Sequence, residues 1–392
     1  MLSKKAKNIT PSLTIGISTK VKELIDQGLD IINLSIGEPN FCTPTPAKEA
    51  AVESIYTNKA KYGPASGITE LRKTIIHKLK TENNISYQLD EIVVSSGAKH
   101  AITNALIALI NPGDEVLIPK PYWVSYPEMI KLVGGNPVFL DTKMKNNFKM
   151  TTEDIIDVIT PKTKMIFITN PSNPTGAVYS KEELKSIVNL CIQHNIFILA
   201  DEIYERICYK DNFISIASLS EKAKNITITI NGLSKSAAMT GWRIGYTAAN
   251  QTISKAISAI QGHLTSHPCV ISQYGAIKAL NSCQEDIQTM VLNYKKKRDI
   301  ALNMLEKIKD ISFIKPNGAF YVFIDISSLK NKLKYNDYFS ISFANQLLEQ
   351  EKVAVVPGVA FGMDDFIRIS YACDNDTLIE GIKRISSFIN NL

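Results

Sequence analysis

The chain has 392 residues, more than one hydrophobic core usually serves, so two units are expected. Apolar residues make up 45% and charged residues 21%, which excludes a mainly disordered chain. The net charge is +6 but scattered. The one tight run, Lys295–Arg298 inside a predicted helix over 287–308, reads as a solvated helix face rather than a nucleic-acid surface.

Six cysteines (Cys42, Cys191, Cys208, Cys269, Cys283 and Cys373) stand far apart with no Cys-x-x-Cys pair. That spacing fits a reducing compartment and neither a disulfide framework nor a zinc site. His263 and His267 have no glutamate between them, so the metalloprotease pattern fails. No apolar run approaches the roughly 18 residues that span a bilayer. The charged start, Met-Leu-Ser-Lys-Lys-Ala-Lys-Asn, has no apolar stretch behind it, and a cytoplasmic protein is expected.

In chain order, a helix is predicted over 18–27 and a short strand over 31–34. The turn-rich stretch Ser35-Ile36-Gly37-Glu38-Pro39-Asn40 follows, where Gly37 is either a plain turn residue or a point of close ligand approach. From about residue 46 strands alternate with helices. Lys61-Tyr62-Gly63-Pro64 is a turn carrying a phenol, and a helix is predicted over 69–80. A strand over 90–95 runs into Ser96-Gly97-Ala98-Lys99, which opens an apolar helix to Ile110. Strand, small residues, then a helix N-terminus make a ready anion site. A strand over 115–118 leads to Pro121-Tyr122-Trp123, at a strand end where open α/β sheets gather ligands.

A buried strand over 164–169 ends in Asn170-Pro171-Ser172-Asn173-Pro174-Thr175-Gly176. Two X-Pro pairs and a glycine fix a rigid loop, able to hold Asn173 in one orientation. A helix over 181–194 and an apolar strand over 195–200 end at Asp201-Glu202-Ile203-Tyr204. A carboxylate at the end of a buried strand needs a cationic partner.

The strand over 226–230 then empties into Asn231-Gly-Leu-Ser-Lys-Ser-Ala-Ala-Met-Thr-Gly-Trp-Arg-Ile-Gly-Tyr246. Lys235 stands among small neighbours that let a planar ligand come close, with the Ser234 and Ser236 hydroxyls to meet an anion. Arg243 follows eight residues on, between Trp242 and Ile244. A Schiff-base lysine followed by a phosphate-holding arginine suits pyridoxal phosphate (PLP) chemistry. Alternation of strand and helix is expected to continue to about 285. After it come strands over 320–326, 353–356 and 366–371 and helices over 338–351 and 377–390. Arg368, on a half-buried strand, calls for an anionic partner. P-loop and dinucleotide glycine motifs are missing from the sequence.

In order, Ser-x-Gly-Glu-Pro, Lys-Tyr-Gly-Pro, Ser-Gly-Ala-Lys, Pro-Tyr-Trp, Asn-Pro-x-Asn-Pro-Thr-Gly, Asp-Glu-x-Tyr, Ser-Lys…Gly-Trp-Arg-Ile-Gly-Tyr and Arg-Ile-Ser-Tyr form one set. It resembles a class I PLP-dependent aminotransferase of fold type I, closest to the bacterial aspartate aminotransferase branch, over about residues 11–385. The resemblance implies an α/β fold. A large PLP-binding domain over 46–285 would carry a mixed, mostly parallel sheet, and 1–45 with 286–392 would form a smaller α+β domain.

It also implies roles. Lys235 would hold PLP as a Schiff base and move the substrate α-proton. Asp201 would pair with the pyridine nitrogen, Tyr204 and Asn173 would bond the ring oxygen, and Trp123 would stack on the ring. Arg243, Ser234 and the Gly97–Ala98–Lys99 backbone would hold the phosphate, with Tyr62 reaching across a homodimer. Arg368 would take the substrate α-carboxylate beside Gly37 and Asn173, and Lys99 with Thr14 would meet a distal carboxylate. Aspartate or glutamate would then exchange amino groups with 2-oxoglutarate or oxaloacetate by a ping-pong mechanism, with no metal.

Relatives that also accept prephenate tend to carry lysine or arginine where Thr10 stands here. Aromatic or alanine aminotransferases and carbon–sulfur β-lyases would share Lys235, Asp201 and Tyr204, leaving Lys99 and Thr14 to discriminate. A PLP-binding transcription regulator would need a DNA-binding domain, and only residues 1–10 precede the resemblance.

Overall fold

The structure is a computed structural model and describes residues 2–209 and 213–392. In chain order its strands are β1 (Ile32–Asn33), β2 (Ile92–Ser95), β3 (Glu115–Lys120), β4 (Asn136–Asp141), β5 (Thr163–Thr169), β6 (Phe197–Asp201) and β7 (Thr227–Gly232). Then come β8 (Gly245–Ala248), β9 (Ser312–Phe313), β10 (Tyr321–Asp325), β11 (Val353–Ala354), β12 (Val356–Pro357) and β13 (Phe366–Ser370). Strands β2 to β8 form one sheet in the order β2-β8-β7-β6-β5-β3-β4. β8 is antiparallel to both neighbours and the other pairs are parallel, so the sheet is mixed and mostly parallel, as expected.

Every residue of β2, β7 and β8 is buried, which explains the apolar runs expected as strands over 90–95 and 226–230; β8, at the end of the stretch read as the lysine loop, was not expected as a strand. Helices pack on both faces. Ile102, Ala105 and Leu106 meet Val116 and Phe167 on one, while Leu184, Ile187 and Val188 meet Ile166 and Ile198 on the other. The helix Lys181–Gln193 starts where Ser180 and Glu183 cap each other's backbone N–H groups.

The second sheet is antiparallel, in the order β12-β13-β10-β9, and β1 pairs with β11 in a parallel ribbon. Helices Gln284–Leu305, Phe339–Glu351 and Asn375–Asn390 share an aromatic-rich core with it, including Phe320, Tyr321, Phe343 and Phe388. No helix among the described residues is long and apolar enough to cross a membrane.

Four expectations need correction. Strand–helix alternation stops at Ala248, because helices Gln251–Leu264 and Val270–Ser282 follow directly. Their apolar residues (Ile253 and Ile257, Ala276 and Leu280) recur at helical spacing and feed two different cores. The run expected as one strand over 353–356 is split, with Val353–Ala354 on β1 and Val356–Pro357 on β13. The first long helix spans Leu13–Asp26, starting earlier than expected.

The Lys295–Arg298 run is only half solvated. Lys297 and Arg298 are 8% and 5% exposed. Lys297 Nζ lies over the Phe41 ring, and the Arg298 guanidinium lies 4.8 Å from the Tyr209 ring centroid. Four consecutive helical residues point around the whole helix at about 100° each, so a helix packed on one side must bury some of them.

Candidate active site

The loops after β2, β3, β5, β6 and β7 open at the carboxyl edge of the large sheet, the usual ligand edge of an α/β fold. A cleft of about 830 Å³ lies there. Ser35–Glu38, the helix Leu13–Asp26, and Tyr321 and Arg368 from the second sheet complete its walls.

Lys235 lies in the cleft beyond β7, with Nζ donating to the Gly37 carbonyl at 2.6 Å. Burial holds its ammonium pKa down at about 8. Glu38 opposes that shift, and Arg368 and Arg243 add to it. A pKa near 8 leaves roughly a tenth of the amine neutral and nucleophilic at pH 7. Ala238 and Arg243 hold φ of +49° and +57°, so the loop keeps two non-glycine residues in the left-handed region. The Ser234 hydroxyl lines the cleft. Ser236, expected beside it as a second donor, donates back to the Gly232 carbonyl at 3.4 Å instead.

Asp201 ends β6 at 5% exposure. Its Oδ2 accepts from the Tyr126 hydroxyl at 2.6 Å and its Oδ1 from the Ile203 N–H at 3.2 Å. Burial pushes its pKa up. The Tyr126 bond, the Ile203 N–H and the Lys235 charge pull it back. Tyr204, also buried, places its hydroxyl 2.9 Å from that of Tyr321.

Arg368 is 3% exposed, not half-buried as expected, since all of β13 is buried. Nη1 donates to Asn173 Oδ1 at 2.9 Å and Nη2 to the Ser35 carbonyl at 3.0 Å. Nε has no partner among the described residues, and the titratable groups that act on the guanidinium are the phenols of Tyr321 and Tyr204, not a carboxylate. A buried cation without a counter-ion is a site built for an anion.

Arg243 donates to the Thr240 carbonyl and packs on Gly97, where an added Cβ would collide with its guanidinium. Gly97 sits at φ +87° as the N-terminal cap of the helix Ala98–Leu109. Only glycine permits both that dihedral and that approach. Guanidinium and helix N-terminus thus converge on one spot.

Trp123 lines the cleft with its ring edge-on to Tyr126, and Lys99 Nζ stands 5.0 Å from its centroid. Gly37, Ala98 and Thr14 also line it, the last from the helix Leu13–Asp26 with its Oγ1 3.0 Å from Ser12 Oγ. Tyr62 is absent from the lining of its own chain's cleft, 94% exposed, with its ring on His267.

Tyr126 and Tyr321 were not singled out in the sequence. Tyr126, three residues past Trp123, had a nearby signal in Pro-Tyr-Trp. Tyr321 had none, because its place depends on strand register.

The chain belongs to the class I and II aminotransferases, matching that family over residues 29–385. It is 43% identical to an aspartate aminotransferase of Bacillus sp. (strain YM-2), covering 99% of each chain. It is 45% identical to a probable aspartate/prephenate aminotransferase of Rickettsia typhi over the full length of both. The solved aspartate aminotransferase of Rhizobium meliloti superposes with a TM-score of 0.94 at 36% identity, covering 100% of this chain and 99% of that one. That of Thermus thermophilus with maleate gives 0.93 at 36% identity, covering 99% of each. The fold is therefore that of the PLP-dependent fold type I enzymes, the chain is an aminotransferase, and PLP is the implied cofactor.

Proposed function

We propose that this protein moves the amino group between L-aspartate or glutamate and 2-oxoglutarate or oxaloacetate by ping-pong half-reactions, using PLP bound to Lys235. The observation that carries it is the cleft's charge layout. A depressed-pKa lysine, a buried carboxylate, an Arg368 with no counter-ion and a second cation, Lys99, all line one space. Maleate in the Thermus relative is a dicarboxylate, which agrees with two cationic ends.

The residues fit the cofactor. Arg243, Ser234 and the backbone around Gly97–Lys99 offer a cradle for a phosphate, and a side chain at Gly97 would fill it. Asp201, buried and pinned by Tyr126, offers the anion for a protonated ring nitrogen. Tyr204 and Asn173 would hold the ring oxygen, and Trp123 would offer a stacking face. When bound, PLP supplies an electron sink that stabilises the pair left when the α-proton departs.

The chain's own groups do the rest. Lys235 Nζ, partly neutral near pH 7, is the amine that binds the cofactor and then carries the α-proton. Arg368 orients the α-carboxylate through its planar fork, and Asn173 and Ser35 fix the plane of that fork. Lys99 and Thr14 take the distal carboxylate. Residues 46–285 form the cofactor-binding domain, and 1–45 with 286–392 the domain that closes over it, in a cytoplasmic homodimer where Tyr62 of one subunit completes the phosphate site of the other.

The test is a half-reaction, mixing PLP-loaded protein with single amino acids and following absorbance. Fast conversion with aspartate and glutamate, lost in Lys99→Ala while slow alanine conversion survives, is expected. Conversion with aromatic or aliphatic donors alone would refute the dicarboxylate reading. A second reading, prephenate as an additional acceptor, draws on the Rickettsia relatives' names. Against it, Thr10 supplies only a backbone N–H, to Glu128.

A further inference from the structure

Tyr321 touches two site residues that come from different sheets. Its hydroxyl lies 2.9 Å from that of Tyr204, and its ring lies under Arg368 at 4.2 Å from guanidinium carbon to centroid. It is 1% exposed and lines the cleft. The register of β10 on β13 sets this up. Tyr321 opposes Ser370 and Phe323 opposes Arg368, so Tyr321 and Arg368 are diagonal neighbours on one face.

Each phenol has one proton to give and lone pairs to accept. In an isolated pair the direction of the bond is undecided. Here the Arg368 cation sits over the Tyr321 ring and stabilises negative charge on its oxygen against the effect of burial, which makes Tyr321 the more acidic phenol and the better donor. Tyr204 is held protonated mainly by burial; Arg368 pulls its pKa down as well, and Asp201 opposes that pull. The other titratable groups near the pair, Tyr294, Tyr371 and Lys235, leave this order unchanged, because the first two stay protonated behind Tyr321 and the third faces the cleft.

We propose that Tyr321 is a positioning residue that donates its proton to the Tyr204 oxygen and thereby turns the Tyr204 hydroxyl into a fixed donor toward the cleft. A hydroxyl that accepts one hydrogen bond donates a stronger one. Resting on the reading that Tyr204 faces the cofactor's ring oxygen, this makes Tyr321 a device that tunes the ring from outside it.

The experiment titrates PLP-loaded wild type, Tyr204→Phe, Tyr321→Phe and the double variant by visible absorbance. A stronger donor to the ring oxygen favours its ionised form, so removing either hydroxyl raises the apparent spectroscopic pKa. The expected rise is about half a unit for Tyr321→Phe and larger for Tyr204→Phe. The double variant matches Tyr204→Phe alone, because Tyr321 acts through Tyr204. KM for aspartate stays within about twofold in Tyr321→Phe, since the ring under Arg368 remains. A shift in Tyr204→Phe with none in Tyr321→Phe, or additive shifts in the double variant, would overturn the proposal. No shift in Tyr204→Phe would overturn the reading of Tyr204 and the proposal with it.

Discussion

Two arginines in this molecule are buried against tyrosine rings, and they end differently. Arg298, on the helix Gln284–Leu305, lies over Tyr209, donates to the Pro316 carbonyl and holds Asp299 at 2.6 Å. Arg368, on β13, lies over Tyr321 and donates to an amide oxygen and a carbonyl, with Nε unpartnered. Both are similarly buried. The first has its anion in the chain. The second has none among the described residues. Burial and aromatic stacking therefore say little about function by themselves. The missing counter-charge separates a structural cation from one that waits for a ligand.

The comparison can be broken most directly at Arg368. Arg368→Leu is expected to lower kcat/KM for aspartate by about 10²- to 10³-fold, the usual cost of removing one side of a buried charged contact. Its thermal unfolding midpoint without ligand should hold or rise, because an uncompensated buried charge is gone. Steady-state kinetics and calorimetry on the same sample decide it. A large fall in stability would place Arg368 with Arg298.

Arg298→Leu should behave in the reverse way. Losing its bonds to Pro316 and Asp299 is expected to destabilise the fold by about 2 kcal/mol, read as a lower denaturation midpoint, with kcat/KM little changed. Selective loss of dicarboxylate turnover in this variant would remove the distinction.

The smallest effect is on Lys235. A lysine whose pKa is lowered to about 8 gains nucleophilic amine as pH rises, so capture of PLP by the cofactor-free protein should speed up through pH 8 and level off above it. Arg368 contributes to that depression through its charge. In Arg368→Leu the midpoint should therefore move upward, and in Arg298→Leu it should stay. Stopped-flow absorbance against pH measures both.

How much of this was legible depends on how local the cause is. The Lys235 loop, the Asn173 loop and Asp201 at a strand end are each defined within a few residues, so their composition announced them. The α/β character followed from apolar runs separated by helices, whereas the mixed sheet was implied only by the family resemblance. Tyr321 was invisible because its role needs the β10–β13 register, which one sequence does not state. Arg298 was misread for the same reason, since its partners Tyr209 and Pro316 are distant in sequence. The split of 353–356 between two sheets also depends on pairing with strands far away, not on the residues themselves.

The ribbon of β1 on β11 has a consequence for synthesis. Ile32 pairs with Val353, the Leu34 carbonyl receives the Ser370 N–H, Ser35 meets Arg368, and Gly37 meets Lys235. Strands β2 to β8 can pair with one another once the ribosome has passed Ala248. The backbone partners of Ile32 and Leu34, made far earlier, lie at 352–354 and 370, so this ribbon forms only after those residues emerge. A segment translated well before the large sheet is thus placed after it, and a nascent chain stalled before Val353 would hold the lysine loop without the ribbon that seats Gly37.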